Sequence, residues 1–313
     1  MISAIVLNWN GKRFLKECFD SLSRQSFNDY ELIMVDNGST DGSIEFMRDN
    51  FPQVKIIALG KNMGFCRAMN AGIKLTKGEF ISLFNNDVAV DKNWMEEMSA
   101  ALVNNPDVGI CASKIYFYKE PNKINSAGDL FHINGEAYNR GFGQEDNVSF
   151  DKTEFVFSAT AAACTYRRSM LLEGVGLFDE DFFFNYEDVD LGFRAHLKGW
   201  KCLYLPGAVV YHHWLGTIGL FGRMRIFYIA KNNLSILVKN MPFKLLMKYA
   251  PAIFRKHLKI SLGLVFRGSF SAFIKGRLCY LRQLPGMLKK RNSILRNRKI
   301  SLEELEGLLE KGG

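Results

Sequence analysis

The chain has no long hydrophobic run. Its 313 residues contain no uncharged apolar stretch of about 18 or more, which argues against a membrane-spanning helix. The N-terminus also lacks the basic-then-apolar pattern of a signal peptide, because residues 1–7 lead directly into a predicted strand. These two absences predict a cytoplasmic protein.

Cysteine pairs and glycine-rich phosphate loops are also absent. The six cysteines are scattered singly with no CxxC spacing, which argues against a disulfide framework or a zinc site. The first predicted strand is followed by Asn8-Trp9-Asn10-Gly11, which is not the glycine-rich turn of a nicotinamide-dependent oxidoreductase. A nucleotidyltransferase needs a similar loop with a nearby basic residue, and that is missing too.

Acidic residues are missing from one long segment. Residues 241–300 contain fifteen lysines and arginines and no acid, whereas residues 1–240 carry 25 basic and 28 acidic side chains. Cations interleaved with Leu, Phe, Ile and Met are typical of amphipathic helices that bind an anionic membrane surface. A helical hairpin packed on the rest of the protein is the structural alternative. We expect no nucleic-acid partner.

The first third of the chain alternates short apolar runs with helix-period stretches. This alternation predicts a mostly parallel α/β sheet covered on both faces by helices. The predicted strands are 3–7, 31–35, 54–59 and 80–84, and the predicted helices are 12–23, 42–49 and 65–75. Ligands of such sheets bind beyond the carboxyl ends of the strands, which here are residues 8–11, 36–40 and 85–87.

The pattern weakens after a predicted helix at 94–104. Residues 116–154 are rich in Gly, Asn, Asp and Lys and predict a long excursion with short strands, of the kind that often covers an acceptor site. The elements predicted after it are a strand at 155–166, a helix at 187–197, a strand at 202–210 and a helix at 221–238.

Polar residues at two of the strand ends have both a structural and a functional interpretation. Asp36 begins a turn in which Gly38 permits a tight bend, and it could equally accept a hydrogen bond from a nucleotide base or ribose. Asn85, Asn86 and Asp87 follow an apolar strand. They form either a turn or an oxygen-ligand site for Mg²⁺ or Mn²⁺ bridging a diphosphate.

Two later segments could complete such a site. His212 and His213 end an apolar strand at the same edge, and imidazole is an acceptable ligand for Mn²⁺. The acidic run from Glu187 to Asp190 begins a predicted helix, where carboxylates can act as caps. Asp190 is expected to pair with a basic residue one helical turn later, at the surface. Glu187 or Asp188 is then left to face a substrate as a general base.

Taken together, these residues resemble glycosyltransferase family 2 with the GT-A fold, most closely its bacterial rhamnosyltransferase-like branch. The matching stretches cover most of residues 2–213 in the order of the family: AIVLNWNG, YELIMVDNGSTDGS, NMGFCRAMNAGIKLTKGEFISLFNND, GLFDEDFFFNYEDVDLGFRAHLKGW and LYLPGAVVYHH. The resemblance implies a Rossmann-like sheet in residues 1–215, with a nucleotide-sugar half at 1–111 and an acceptor half at 112–215. Residues 216–313 would form a basic, helical C-terminal region.

The resemblance also implies roles for individual residues. Asp188 would be the catalytic base, with Glu187 beside it, and Asp87 and His212 would hold the metal. The donor-binding residues would be Asn8, Asn10, Asp36, Asn62, Gly64, Asn70, Asn85 and Asn86. Asn85 departs from the family, which often has a carboxylate at that position.

The activity implied is an inverting transfer from a nucleotide-diphosphate sugar, with dTDP-rhamnose favoured and a UDP-hexose next. The cofactor would be Mg²⁺ or Mn²⁺. The acceptor would be a lipid-linked glycan or a polysaccharide, which favours a peripheral position on the inner face of the cell membrane. The alternative is a catalytically weak carbohydrate-binding or scaffold protein on the same fold.

Overall fold

The computed structural model describes residues 1–214, 222–265 and 270–311. The predicted helix start at Phe221 and the predicted boundary between residues 215 and 216 lie outside these described residues. The described strands are β1 Ile2–Asn8, β2 Tyr30–Asp36, β3 Lys55–Ala58, β4 Phe80–Asn85, β5 Val88–Val90, β6 Val108–Phe117, β7 Glu120–Ala127, β8 Asp129–Phe131, β9 Ala137–Asn139, β10 Glu154–Val156, β11 Ala163–Arg167 and β12 Lys201–His212. The described helices are α1 Lys12–Ser23, α2 Ser43–Asn50, α3 Phe65–Ile73, α4 Trp94–Asn104, α5 Glu187–Leu197, α6 Arg223–Asn240, α7 Phe243–Val265, α8 Phe270–Arg296 and α9 Leu302–Gly307.

A ten-stranded, mostly parallel sheet forms the centre of the molecule. Its main path runs β10-β12-β6-β11-β4-β1-β2-β3, with β5 paired to β12 and β7 to β6. Because β11 lies antiparallel between β4 and β6, the strands β6 and β12 run in the same direction as β4. The carboxyl ends of β1, β2, β4 and β12 therefore meet at one edge of the sheet, as predicted.

Alternate side chains of the strands enter two hydrophobic cores, one on each face of the sheet. In β1, Ile5 enters one core while Ala4 and Val6 enter the other, as the period of two in a strand requires. The sheet is thus covered on both faces, which explains why its strands are nearly continuous apolar runs. The mixed α/β architecture predicted from the sequence is confirmed.

Three predicted helices, α1, α4 and α5, match at both ends. The single strand predicted at 155–166 is wrong. Two short strands, β10 and β11, occupy its ends and pair with different partners. The small, apolar residues between them leave the sheet, and the backbone N–H of Ala161 donates to Asp188 Oδ2 at 3.2 Å. Their apolar character reflects burial in a loop rather than pairing in a sheet.

The C-terminal helices pack onto the sheet domain. Ile236 and Leu237 of α6 and Leu305 of α9 belong to the same buried core as Phe182. A side chain at Gly276 of α8 would lie 2.4 Å from a carbonyl oxygen of α6, so this glycine allows the two helices to approach closely. Among the described helices none is long and apolar enough to span a bilayer. All six cysteines are free thiols, and five of them are buried.

Candidate functional site

The strand ends of β1, β2 and β4 are joined by a chain of buried hydrogen bonds. Asn86 Nδ2 donates to Asn8 Oδ1 at 2.7 Å, and Asn8 Nδ2 donates to Asp36 Oδ2 at 2.9 Å. The other oxygen of Asp36 accepts the backbone N–H groups of Gly38 and Ser39 at 3.1 and 2.9 Å. The predicted common edge is therefore present. Because Asp36 is fully buried, its carboxylate shapes the turn after β2.

Three further asparagines predicted to bind the donor also organise backbone turns. Asn10 Oδ1 accepts the N–H of Thr40 at 2.8 Å, and Asn62 Oδ1 accepts the N–H of Gly64 at 2.9 Å. Asn70 exchanges two hydrogen bonds with the backbone of Phe178, at 2.9 and 3.1 Å. These amides satisfy backbone groups of the turns that would otherwise be unpaired.

A cavity of about 300 Å³ lies beyond the strand ends, and we call it the Asp87 cavity. Six of the predicted site residues line it: Asn62, Gly64, Asn85, Asn86, Asp87 and His212. The predicted donor-binding residues that do not line it are Asn8, Asn10, Asp36 and Asn70, and the predicted catalytic residues Glu187 and Asp188 do not line it either. Trp9 and Asn37 also line it and lie in the predicted strand-end segments, although no role was assigned to them. Trp214 and Arg225 line it without having been singled out from the sequence.

Gly64 is required by the shape of this cavity. Its φ of +81° is unfavourable for other residues, and a side chain there would lie 2.5 Å from the ring of Phe183. Phe183 itself lines the cavity and stacks on Tyr228 of α6, with ring centroids 5.0 Å apart. Phe183 and Phe184, shortly before α5, therefore form part of the wall of the Asp87 cavity.

Asp87 and His212 meet inside this cavity. His212 Nε2 lies 3.3 Å from Asp87 Oδ1, and both side chains are mostly buried. Burial raises the pKa of Asp87, but the hydrogen bond and charge of His212 outweigh it, so the pKa lies below 3.8. His213 points elsewhere, because its Nε2 lies 2.9 Å from Glu17 Oε2.

The donor set at Asp87 and His212 fits a divalent cation. Asn125 Oδ1 lies 3.3 Å from His212 Nδ1 and can accept the Nδ1 hydrogen. The hydrogen on Nε2 bonds to Asp87, and its loss would leave a lone pair on Nε2 facing the carboxylate. A lone pair and a carboxylate repel each other unless a proton or a cation lies between them. No group of three His, Cys, Asp or Glu side chains suited to a metal occurs within residues 1–214, 222–265 and 270–311. Ligands from a diphosphate or water would complete the shell.

A second cavity of about 290 Å³ adjoins the first, and we call it the Asp188 cavity. Asp188 and Glu187 both line it, as does Asp129 of β8. The two cavities share the wall residues Phe65, Asn85, Phe184, Asn185, His212, Trp214 and Arg225. The predicted base and the predicted metal ligands thus line adjoining spaces.

Three carboxylates interact in the Asp188 cavity. Burial raises the pKa of Asp188 above 3.8, against hydrogen bonds from the N–H groups of Val189 and Ala161. Burial, and then the charge of Asp188, raise the pKa values of Asp129 and Glu187 well above their usual range. One oxygen of Asp129 and one of Glu187 have no hydrogen-bond partner among the described residues. Asp188 accepts two backbone N–H groups, from Ala161 and Val189, and these favour its ionised form over those of Asp129 and Glu187.

The segment before α5 is held by α6. Phe183, Asn185 and Tyr186 have positive φ values of 62°, 64° and 70°, which L-residues rarely adopt. Asn232 of α6 donates to the carbonyl oxygens of Phe182, Phe184 and Asn185 at 3.0, 2.8 and 2.6 Å. Helix α6 therefore stabilises the strained backbone that leads into Glu187 and Asp188.

Asp190 has a different environment from the one expected. It pairs with Arg194 at 2.9 Å, as predicted, but the pair is buried rather than at the surface. Lys239 of α6 also contacts Asp190, at 2.6 Å. The i,i+4 spacing predicts the pair but not its burial, because the burial results from the packing of α6.

Comparisons with known proteins give a family and a fold. The sequence model described as "Glycosyl transferase family 2" matches residues 3–173. The N-acetylglucosaminyl-diphospho-decaprenol L-rhamnosyltransferase of Mycobacterium tuberculosis H37Rv is 25% identical over 68% of this chain and 76% of its own length. An uncharacterized protein of Sinorhizobium fredii, y4gI, is 27% identical over 68% of this chain. The match spans only 24% of that relative.

Solved structures support the fold. GalNAc-T7 with UDP, GalNAc and Mn²⁺ superposes with a TM-score of 0.61 and 15% identity, covering 76% of this chain and 48% of that one. TarS 1–349 of S. aureus with UDP-GlcNAc gives a TM-score of 0.58 and 17% identity, covering 94% and 90%. The predicted GT-A fold is confirmed by this agreement.

Proposed function

The chain belongs to glycosyl transferase family 2, and from this premise we propose that it transfers a sugar from a nucleoside-diphosphate donor to an acceptor hydroxyl, with inversion. One observation supports the proposal most directly: the Asp87 and Asp188 cavities share a wall, so a donor in the first faces an acceptor in the second. The sugar to be transferred would lie where they meet.

Asp188 is the general base in this proposal. As the most readily ionised of the three carboxylates, it removes the proton of the acceptor hydroxyl while that oxygen attacks the anomeric carbon. Glu187 and Asp129 stay protonated longer and can donate hydrogen bonds to the acceptor sugar. The N–H groups of Val189 and Ala161, at 2.8 and 3.2 Å, hold the carboxylate of Asp188 in place.

Asp87 and His212 would hold a Mg²⁺ or Mn²⁺ ion. A bound ion of this kind neutralises the charge that develops on the leaving diphosphate. Asn125 fixes the ring of His212 toward Asp87, and Asn86 and Asn85 supply amide groups around the same space.

We propose dTDP-rhamnose as the favoured donor and a UDP-hexose as the next. The first rests on the relative named as an L-rhamnosyltransferase, and the second on the solved structures with UDP and UDP-GlcNAc. The same relative's name includes a diphospho-decaprenol acceptor, and a lipid-linked glycan is accordingly our proposed acceptor. A polysaccharide is the alternative acceptor.

The outer face of α7 supports a position at the membrane. Five large apolar side chains on this face are between 49% and 70% exposed and follow helical spacing: Phe243, Met247, Phe254, Leu258 and Leu262. Each of the first four is followed by a cation: Lys244, Lys248, Arg255 and Lys259. We call this set the α7 stripe, and an anionic lipid surface matches both its apolar and its charged groups. We therefore propose peripheral attachment to the inner face of the cell membrane.

The experiment that tests the activity is hydrolysis and transfer with a panel of nucleotide sugars, with Mn²⁺, with Mg²⁺ and with EDTA. Release of nucleoside diphosphate from one donor in the presence of a metal, and transfer of its sugar with an inverted anomeric configuration, would support the proposal. If no donor binds or turns over, the carbohydrate-binding or scaffold alternative is favoured instead.

A further inference from the structure

A third cavity, of about 350 Å³, lies between the catalytic sheet and the helices α6, α7 and α8. We call it the Arg277 cavity. Tyr186, Arg225 and Ile229 line both this cavity and the Asp188 cavity, so the two share a wall. On its far side, His257, Phe273 and Arg277 separate it from a largely apolar groove of about 430 Å³, lined also by Leu234 and Ile253.

The charges in the Arg277 cavity are positive and incompletely neutralised. Arg277 donates to the carbonyl oxygen of Ala230 at 2.8 Å and contacts His257 Nδ1 at 2.8 Å. No carboxylate of the described residues forms an ion pair with Arg277. Burial lowers its pKa to about 10. The half-buried guanidinium thus has a carbonyl oxygen and an imidazole as its partners. Elsewhere in the described helices, the buried Lys239 pairs with two carboxylates.

Other polar groups in the cavity also lack partners. His257 Nε2 and Asn233 Oδ1 are buried without a hydrogen bond among the described residues, and the Asn233 side chain is almost entirely enclosed. Burial, followed by the charges of Arg277 and Lys256, lowers the pKa of His257 to about 4. Lys256 forms an ion pair with Glu136 at the rim. A bound anion would accept the hydrogen of His257 Nε2, and a hydroxyl next to that anion would donate to Asn233 Oδ1.

The three spaces follow one another in a definite chemical order. The Asp188 cavity is polar and acidic, the Arg277 cavity is cationic with apolar walls from Ile226, Ile229 and Ile260, and the groove is apolar. Phe254, which belongs to the exposed α7 stripe, also lines the groove. A glycosyl-diphospho-lipid has the same order of sugar, anion and hydrocarbon.

We propose that the Arg277 cavity binds the diphosphate of a lipid-linked acceptor and that the apolar groove binds the first part of its hydrocarbon chain. This inference rests on the proposed function, because it assigns the acceptor of that same site. Arg277 donates charge-assisted hydrogen bonds to the diphosphate. The hydrocarbon chain continues along Leu234 and Ile253 toward the α7 stripe, where it rejoins the membrane. The acceptor sugar then extends past Tyr186 toward Asp188.

The test is a calorimetric titration of the full chain with farnesyl diphosphate in EDTA, which removes metal-dependent diphosphate binding at Asp87. Inorganic diphosphate, farnesol and a short-chain phosphatidylglycerol are the comparison ligands. We expect farnesyl diphosphate to bind at least about 10-fold more tightly than each of them, because only it supplies both a diphosphate and an isoprenoid chain. Equal affinity for the phospholipid would overturn the assignment to a lipid diphosphate.

Two variants locate the binding. Arg277→Gln should weaken farnesyl diphosphate binding by about 10-fold or more, the loss expected for a charge-assisted hydrogen bond. Ile260→Trp keeps the charge but fills the cavity, and it should weaken binding to a similar extent. Lys275→Gln, at an exposed position two residues earlier in α8, is the matched control and should bind as the unaltered chain does. Circular dichroism melting checks that each variant is folded.

The result separates this inference from the proposed activity. If both cavity variants bind farnesyl diphosphate as tightly as the control, the cavity assignment is overturned, even where sugar transfer to a soluble acceptor is detected. If binding follows the expected pattern while no nucleotide sugar is turned over, the cavity assignment stands and the proposed function fails.

Discussion

His212 Nε2 lies 3.3 Å from Asp87 Oδ1, at the point where the carboxyl ends of β4 and β12 meet. The two residues are distant along the chain, and the antiparallel strand β11 between β4 and β6 is what brings their strands into the same direction. The contact supplies two ligands but no complete coordination shell, so nucleotide and metal should bind together.

Substitution of either residue tests this coupling. Asp87→Asn or His212→Asn should remove most of the thermal stabilisation that a nucleoside diphosphate and Mn²⁺ produce together, because each variant loses one of the two metal ligands. The measurement is a thermal-shift titration with and without Mn²⁺. His213→Gln is the matched control, since His213 contacts Glu17 instead. Equal stabilisation of all three variants would show that Asp87 and His212 do not bind the metal.

Replacing the proposed base should separate turnover from binding. We expect Asp188→Asn to lower kcat by about 10²–10⁴-fold while donor affinity changes little, since the side chain lies in the Asp188 cavity rather than the Asp87 cavity. Asp129→Asn is the control: it resembles the protonated carboxyl that is expected there, so it should retain most of the activity at neutral pH. Single-turnover kinetics with the preferred donor make the comparison. A nearly active Asp188→Asn variant would assign the base to another residue.

The pH dependence of stability should report the buried Asp129. Burial and the charge of Asp188 raise its pKa in the folded protein well above the ordinary 3.8. At pH values between the ordinary pKa and the raised one, the folded protein holds more protons than the unfolded chain. Its free energy of unfolding therefore falls as the pH rises. The asparagine of Asp129→Asn cannot ionise, so the variant should lack the part of this decrease in unfolding free energy that Asp129 causes.

The variant should therefore become progressively more stable relative to the unaltered chain from about pH 4 toward neutrality, by up to about 1.4 kcal/mol per pH unit. Urea unfolding at several pH values measures the difference. Parallel curves for the two proteins would mean that Asp129 has an ordinary pKa.

Lys239 should be essential for the attachment of α6 to the catalytic sheet. Its ammonium lies 2.6 Å from carboxylate oxygens of both Asp179 and Asp190, and all three side chains are nearly buried. Lys239→Met would leave Asp190 with Arg194 and Asp179 with Lys290 as their remaining cations. Because two buried carboxylates each lose one partner, we expect a loss of up to about 3 kcal/mol in the free energy of unfolding. The exposed pair of Lys16 and Asp20, with a similar distance of 2.7 Å, is the control.

We expect Lys16→Met to cost less than about 1 kcal/mol, because solvent screens an exposed pair. Urea denaturation of the two variants compares the same kind of ion pair at two depths. If the two variants lose similar amounts of unfolding free energy, burial does not determine how much the Lys239 ion pairs contribute to stability.

Binding to anionic vesicles should depend on the α7 stripe. Replacement of Lys244, Arg255 and Lys259 by Gln removes three exposed cations, each contributing about 1 kcal/mol, and should weaken partitioning about 100-fold. Sedimentation with phosphatidylglycerol vesicles, and with neutral phosphatidylcholine vesicles as reference, measures this. The same change at Lys55, Lys74 and Lys77 of the catalytic domain is the matched control. If both triple variants sediment to the same extent, the stripe is not the membrane-binding face.

The basic segment illustrates how far a charge pattern can be interpreted. The sequence left open whether residues 241–300 bind a membrane or pack on the protein, and the structure gives different answers for different faces. Lys290 of α8 pairs with Asp179 and Asp181, and Arg291 donates to the carbonyl oxygen of Val238. Packing therefore accounts for these cations, whereas the outer face of α7 remains exposed.

Local pattern by itself determined the alternation of strands and helices, the parallel sheet and the polar residues at its carboxyl edge. Period, apolar runs and strand ends are properties of consecutive residues, so α1, α4 and α5 could be bounded correctly from the sequence. The tertiary structure alone decided that Asp129 faces Asp188, that Asn125 orients His212 and that Asn232 holds the backbone before α5. These contacts join residues distant in the chain, and their energies come from burial and charge in an environment that exists only after the sheet and the C-terminal helices have packed together.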